Sequence, residues 1–345
     1  MEYIEYGVEV VKNYVDKKVL PGAAISFVTK DSVDEYYLGN KTFDYDPIDE
    51  NSLYDLASIT KPLSTTVLIL KLIEEGLITF ETKVATIFPD FPFKDINIMH
   101  LLTHTPGITS ENNNYSDCKD KRDLWQFLIS LKQNNPTGTV VEYSCFSYLI
   151  LGIIIEYFKN DIEEYAEEVL FKPLELDGLM YNPKEKKREK DCVPSEITSD
   201  RGLIKGVVHD GKANILNGKA GNAGLFGNLK SVSKVAQLFL NDGKYKGKSI
   251  LKKETIDLLK KPYTQNLNLS RTIGWIFAQE EESMGLYHSD CCLYHTGFTG
   301  TSVYIDYIRE LAIIFLTNAA FPTRDEKMIV IRREFHNSIL EKMKI

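Results

Sequence analysis

Long apolar runs are missing from this chain, and with them a helical membrane span. The densest stretch, Leu149 to Ile155, falls far short of the roughly 20 residues that a bilayer core demands. The chain begins Met1-Glu-Tyr-Ile-Glu-Tyr-Gly-Val, without the basic start, apolar core and small-residue cleavage site of a secretory leader. It reads instead as an amphipathic helix. A positive surplus is absent too: 41 Lys and Arg face 49 Asp and Glu, a net charge of −8, which argues against nucleic acid as a partner. The densest basic run, Lys184 to Lys190, alternates with acids after Pro183 and reads as a solvated loop. Cysteine is scarce. The five present include the adjacent Cys291 and Cys292, which suit no ordinary disulfide framework, so free thiols in a reducing cytoplasm are expected. Neither a Gly-rich phosphate loop, a dinucleotide fingerprint, an internal repeat nor a low-complexity tract is found. His100 and His104 lie four apart, but Leu101 stands where a zincin helix needs glutamate, and Pro106-Gly107 ends the helix. A capping role is expected there, and no metal.

What is present supports a large core. With 345 residues and 43% hydrophobic content, one large domain or two closely joined lobes can form. Behind the N-terminal helix, Ala23-Ala-Ile-Ser-Phe-Val-Thr and Val33-Asp-Glu-Tyr-Tyr-Leu predict a β-hairpin. From Ser58 to about Lys261 the pattern is helical, with stripes at Leu124, Phe127, Leu128 and Leu131, at Tyr148 to Phe158, and at Tyr165, Val169 and Leu170. Strand patterns return at Ile273-Gly-Trp-Ile-Phe, Leu293-Tyr-His, Thr301 to Asp306 and Leu311 to Leu316, before a charged helix at about Asp325 to Lys342. The expectation is an α+β fold in which both termini build one antiparallel sheet, flanked by helices, beside an all-α lobe. The sheet lobe spans about 1–60 and 265–345, the helical lobe about 61–264. A cleft between them is a natural place for a site.

Ser58-Ile-Thr-Lys61 is the stretch with the most chemistry in it. Positions i and i+3 share a helix face, so hydroxyl and amine can meet, and an amine whose pKa burial lowers can deprotonate the serine. Ser-x-x-Lys occurs four times, beginning at Ser58, Ser116, Ser231 and Ser249, so context must decide. Ser116 falls in the polar loop around Asn112-Asn-Asn-Tyr, Ser231 reads as a helix N-cap, and Ser249 leads into a short amphipathic helix. Ser58 precedes Leu63, Val67, Leu68, Ile69, Leu70, Leu72 and Ile73, apolar on nearly every side, and Pro62 pins the helix start nearby. The alternative is a capping serine.

Two further stretches offer a proton shuttle and an anion site. Tyr143-Ser-Cys145 precedes the apolar helix starting near Phe146; a tyrosine near an ammonium can relay protons, and the plainer reading is core packing with one hydrogen bond. His295-Thr296-Gly297 ends a strand, where Gly297 allows close approach and the N–H of Phe298 can face a cleft; the plainer reading is a hairpin end with a partly exposed histidine. His209-Asp210 is either a mutually oriented pair or a loop hydrogen bond.

Taken in order, Ser58-Ile-Thr-Lys61, Tyr143-Ser-Cys145 and His295-Thr-Gly297 resemble the three motifs of the serine β-lactamase and penicillin-binding-protein superfamily. The chain looks most like its class C β-lactamase-related group of esterases, DD-peptidases and D-aminopeptidases. Flanking stretches agree, from about residue 22 to 320: Leu101-Leu-Thr-His-Thr-Pro-Gly-Ile108, Phe171-Lys-Pro-Leu174, Val208-His-Asp210, Gly221-Asn-Ala-Gly-Leu-Phe226 and Gly297-Phe-Thr-Gly-Thr-Ser302. The resemblance implies one β-lactamase-like catalytic domain over 1–345, acting without a cofactor on a small ester, amide or β-lactam. It implies Ser58 as acylated nucleophile, Lys61 as its proton acceptor and Tyr143 as shuttle to the leaving group. His295 would orient Tyr143 and substrate, and the N–H groups of Ser58 and Phe298 would form the oxyanion hole. Two positions depart from the pattern. Cys145 stands where Asn or Asp is usual, and a thiol is a poor hydrogen-bonding substitute. Asn222 stands where Gly-His-Ala-Gly-Leu-Phe has its histidine. A non-catalytic descendant, or a protein slowly acylated by β-lactams, is the rival reading that Cys145 leaves open.

Overall fold

A computed structural model describes residues 2–108, 115–279 and 283–343. The hairpin expected near the N-terminus forms, as strands β1 (Gly22–Val28) and β2 (Val33–Gly39). The C-terminal part adds β3 (Arg271–Thr272), β4 (Trp275–Phe277), β5 (Cys292–Thr296), β6 (Ser302–Asp306) and β7 (Leu311–Thr317). All neighbours pair antiparallel in the order β3-β4-β5-β6-β7-β1-β2, so the two chain ends meet where Ala24 pairs with Leu316. The sheet is thus assembled from both termini as the sequence predicts.

Successive strand residues point to opposite faces, and both faces here are covered. Ile25, Phe27, Ile313 and Phe315 pack with Ile4, Val11, Phe335 and Ile339, from the terminal helices α1 (Glu2–Asp16) and, closing the chain, Lys327–Leu340. Their neighbours Ala24, Val28, Ile314 and Leu316 join the larger core with Leu68 and Leu70 of α2 (Thr66–Glu74), Ile150 and Ile154 of α3 (Cys145–Lys159), and Val232 and Val235 of α4 (Leu229–Leu240). The closing helix is α5. Between β1 and α4 the hydroxyls of Ser26 and Ser233 meet at 2.7 Å, satisfying each other inside the core.

Three local expectations are corrected. Ile273-Gly-Trp-Ile-Phe is a tight hairpin rather than one strand, because Gly274 turns the chain at φ +82° and fits where a Cβ would lie 2.4 Å from Thr66 Oγ1. The middle of the chain is not purely helical: Tyr54–Asp55, Leu225–Gly227 and Leu179–Tyr181 form a three-stranded sheet too short to show a period. Ser231 is no N-cap, since Asn228 accepts its N–H and its hydroxyl instead accepts from the Gly178 N–H. The Asn112–Asn114 part of the polar loop lies outside the described residues.

His336 of α5 sits fully buried among Tyr294, Tyr304 and Phe335, its Nδ1 3.3 Å from the Ser283 carbonyl. Burial, with the Arg332 charge, pushes its imidazole down from the ordinary 6.5 to about 4. Falling pH therefore charges this histidine first in the unfolded chain. The stability it contributes is whole above about pH 6.5 and drains away as pH drops toward 4, roughly 3 kcal/mol in all. Urea unfolding at pH 7 and near pH 4 should show His336→Phe losing less stability on acidification than the parent by about that amount; equal losses would refute it.

Candidate active site

Ser58 is positioned by the strand before it. After Tyr54–Asp55 the chain turns at Ala57, whose φ of +48° is an uncommon left-handed conformation for a residue with a Cβ. Asp55 holds that turn: one carboxylate oxygen accepts the Ala57 N–H at 2.8 Å, the other the His209 N–H at 2.7 Å. Burial pushes the Asp55 carboxyl above its usual range, and these two N–H groups pull it back. Ser58 lies in a single 3₁₀ turn, Ala57–Ile59, followed by a wide turn, Lys61–Thr65, before α2 begins. The α-helical start expected at Ser58 is thus replaced by irregular turns, as suits Pro62, which has no N–H to give. Serine and lysine still meet.

Lys61 is buried, and its Nζ donates to Ser58 Oγ at 3.0 Å, to the Asn222 carbonyl at 2.9 Å and to Cys145 Sγ at 3.6 Å. The rings of Tyr143 and Tyr148 lie 5.1 and 5.8 Å away, within cation–π range. Burial pushes the Lys61 amine down, but Cys145, Tyr143 with its hydrogen bond, and Asp210 outweigh it and hold the amine above the ordinary lysine range. The lowered lysine expected from burial alone is therefore not found, because the fold supplies acceptors for the ammonium. The Asn222 departure is accounted for here: its backbone carbonyl serves Lys61, while its side-chain amide donates to Asp210 at 3.0 Å.

Tyr143 stands just before α3, whose N-cap is Ser144, accepting from the Phe146 N–H at 3.1 Å. At 38% exposure Tyr143 is no core packing residue. Tyr148, one turn further, is buried and bonded to Thr66 and Leu102; burial pushes its phenol up to about 12. His295 is buried, so the plainer reading of a hairpin end with a partly exposed histidine does not hold. Its Nδ1 lies 2.9 Å from the Thr296 carbonyl, which assigns the ring proton to Nδ1, and its ring centre is 6.0 Å from that of Tyr143. Burial, reinforced by Lys61 and Arg271, holds it well below the usual histidine range, and so neutral.

The turn after β5 is tied to the nucleophile strand. Thr299 Oγ1 donates to the Asp55 carbonyl at 2.7 Å and Thr301 Oγ1 to the Leu56 carbonyl at 3.2 Å. Arg332 of α5 reaches under the turn to the carbonyls of Gly297 and Thr301, at 3.0 and 2.8 Å. Gly297 is required by close approach, since a Cβ there would lie 2.1 Å from Thr301 Oγ1 and 2.6 Å from the Leu56 carbonyl. The Phe298 ring, 41% exposed, is sandwiched between the His209 ring at 4.8 Å and the Arg324 guanidinium at 4.0 Å.

Two cavities of about 400 and 420 Å³ share Ser58, Tyr143 and Phe298 in their walls. Cys145 faces the second, whereas His295, Thr296 and Gly297 face the first. All eight sequence-predicted residues therefore converge on one place. Thr299, Thr301, Arg332 and Tyr148 were not singled out from sequence; the one available signal was Arg332, a charged residue on the apolar face of α5. Among the described residues no group of His, Cys, Asp and Glu could hold a metal ion. His100 caps a helix with Asn97 as expected, and His209 pairs with Glu196 at 2.6 Å rather than with Asp210.

A family model described as Beta-lactamase matches residues 8–336. N-acetylmuramyl-L-alanine amidase of Bacillus subtilis (strain 168) is 29% identical over 77% of this chain and 68% of its own length. The putative D-alanyl-D-alanine carboxypeptidase of Escherichia coli (strain K12) is 27% identical over 77% of this chain and 69% of its own. Among solved structures, unliganded simvastatin synthase from Aspergillus terreus superposes with a TM-score of 0.78 at 19% identity, covering 100% of this chain and 99% of the other. The octameric penicillin-binding protein homologue of Pyrococcus abyssi gives 0.74 at 20% identity, covering 92% and 74%.

Because Cys145 offers Lys61 only a weak sulfur acceptor, Cys145→Asn should supply a carbonyl oxygen in its place. With a matched p-nitrophenyl ester and p-nitroanilide, the expected result is a several-fold gain in the anilide-to-ester ratio of kcat/KM. An unchanged ratio would show that this position does not discriminate amides.

Proposed function

This chain belongs to the Beta-lactamase family, and from that premise we propose that it is a serine hydrolase that opens a small ester or amide through an acyl-enzyme on Ser58. One observation carries the reading: a sealed Lys61 ammonium lies 3.0 Å from the oxygen of a serine that itself opens to two cavities. As Ser58 attacks the carbonyl, its proton passes to Lys61 while Lys61 yields one to Tyr143 and Tyr143 delivers one to the leaving group. The net transfer runs from serine to leaving group, and Lys61 ends as it began. The developing oxyanion is held by the N–H groups of Ser58 and Phe298, and the stitched turn fixes the second of these in place before reaction. His295, neutral and beside Tyr143, keeps the phenol aimed at the leaving atom. Water then enters by the same relay in reverse and releases the acid.

The two relatives are named for amide-bond substrates, which supports a peptide-like amide as one candidate class, with a β-lactam the cyclic amide of the same kind. Cys145 in place of an amide or carboxylate side chain favours esters or small amides instead. A reducing compartment is the proposed setting, supported by five unpaired cysteines; no helix of the described residues is long and apolar enough to cross a membrane.

Ester turnover by the parent should fall by about three orders of magnitude or more in Ser58→Ala, with an acyl adduct on the parent but not the variant in intact-mass spectra. Turnover surviving that change would refute the reading. A lasting penicillin adduct without turnover of any ester or amide would replace it with the slowly acylated binding protein.

A further inference from the structure

Glu142 and Ser144, the residues on either side of Tyr143, are both held by a single residue that the proposed mechanism does not use. His104 accepts the Glu142 N–H at its carbonyl, 2.9 Å, and the Ser144 N–H at Nδ1, 3.2 Å. Its ring lies against that of Tyr143, with centroids 4.8 Å apart, and on its other neighbour Tyr148 at 5.2 Å. His104 is buried, and its backbone adopts φ +58°, a left-handed conformation uncommon for a residue with a Cβ. An acceptor Nδ1 leaves the proton on Nε2, and that buried N–H has no acceptor among the described residues. The ring thus has one nitrogen engaged, with the Ser144 N–H, while its other N–H is left unanswered at a cost in stability.

We infer that His104 is the positioning residue for Tyr143: it clamps the backbone on both sides of the tyrosine and packs against the ring, so that the phenol stays within reach of Lys61 and the leaving group. The inference rests on the serine hydrolase reading above. The charged and titratable groups around the ring are Arg271 from the β3–β4 hairpin, Lys61 from the nucleophile turn and His295 from β5, with Tyr143 and Tyr148 against its faces. Burial, reinforced by the Arg271 and Lys61 charges, holds the imidazole well below its usual range, which preserves the Nδ1 lone pair that the Ser144 N–H requires. The function of the Leu101-Leu-Thr-His-Thr-Pro-Gly stretch is then to present one acceptor-bearing ring, rather than to cap or to bind metal.

A double-mutant cycle on ester kcat/KM tests this. His104→Gly suits the left-handed backbone while removing acceptor and ring, and should lose about 30-fold in kcat with KM little changed. His104→Asn restores a carbonyl acceptor on a residue that tolerates the same backbone, and should recover about 5-fold of that loss; added imidazole should recover part of it in the glycine variant. In a Tyr143→Phe background, where no phenol remains to be aimed, the same His104 changes should cost less than about 2-fold. Losses that simply multiply in that background, with no recovery by asparagine or imidazole, would overturn the inference and leave His104 a structural residue. Should His104→Gly fail to fold, His104→Asn alone closes the cycle, its smaller loss again vanishing beside Tyr143→Phe or not. Failure of the parent reading is separable, since it shows as ester turnover that persists in Ser58→Ala.

Discussion

A buried ammonium sets the terms for the rest of this molecule. Removing the Lys61 charge from water is strongly unfavourable unless the interior returns its hydrogen bonds. Three N–H groups need acceptors, and the chain provides them from separate regions: Ser58 three residues away, Cys145 at the start of α3, and the carbonyl of Asn222 on the loop leading to Leu225–Gly227. Two tyrosine faces close the remaining sides. The native arrangement of three distant segments is therefore tied to satisfying one charge, and that same charge keeps the serine oxygen in a polar, preorganised setting.

The second organising element is the bond between sheet and nucleophile turn. Thr299 and Thr301 lie in the turn between β5 and β6, Asp55 and Leu56 in the N-terminal part, and their two hydrogen bonds span about 245 residues of sequence. Arg332 adds a third anchor from α5, on the far side of the turn. The anion site proposed for the N–H groups of Ser58 and Phe298 would thus rest on backbone held from three directions, which is what separates a preorganised donor pair from a mobile loop.

How much of this could be read in advance depended on the range of the interaction. The amphipathic first helix, the β1–β2 hairpin, the apolar α3 and the paired β6 and β7 each announce themselves within a dozen residues, because burial on one face or both imposes a period. Ser58, Lys61, Tyr143 and His295 were legible as chemistry, and their order made the resemblance specific. Gly274 defeated the strand period by turning the chain in its middle, and the Tyr54–Asp55, Leu179–Tyr181 and Leu225–Gly227 strands are too short to carry one. Lys61 itself shows the limit most clearly. Burial could be foreseen from the helix that follows, but the sign of its shift depended on Cys145, Tyr143 and Asp210, which only the tertiary fold brings near. The same holds for His104, whose partners lie 38 and 40 residues downstream.

Placing Ser58, Tyr143 and Phe298 on the shared rim of two hollows has a consequence for traffic through the molecule. Under the acyl-enzyme proposal, a substrate seated at that rim can lay its acyl part in one hollow and its leaving group in the other, so the departing piece need not pass the fragment held on the serine, and the space it vacates adjoins the phenol.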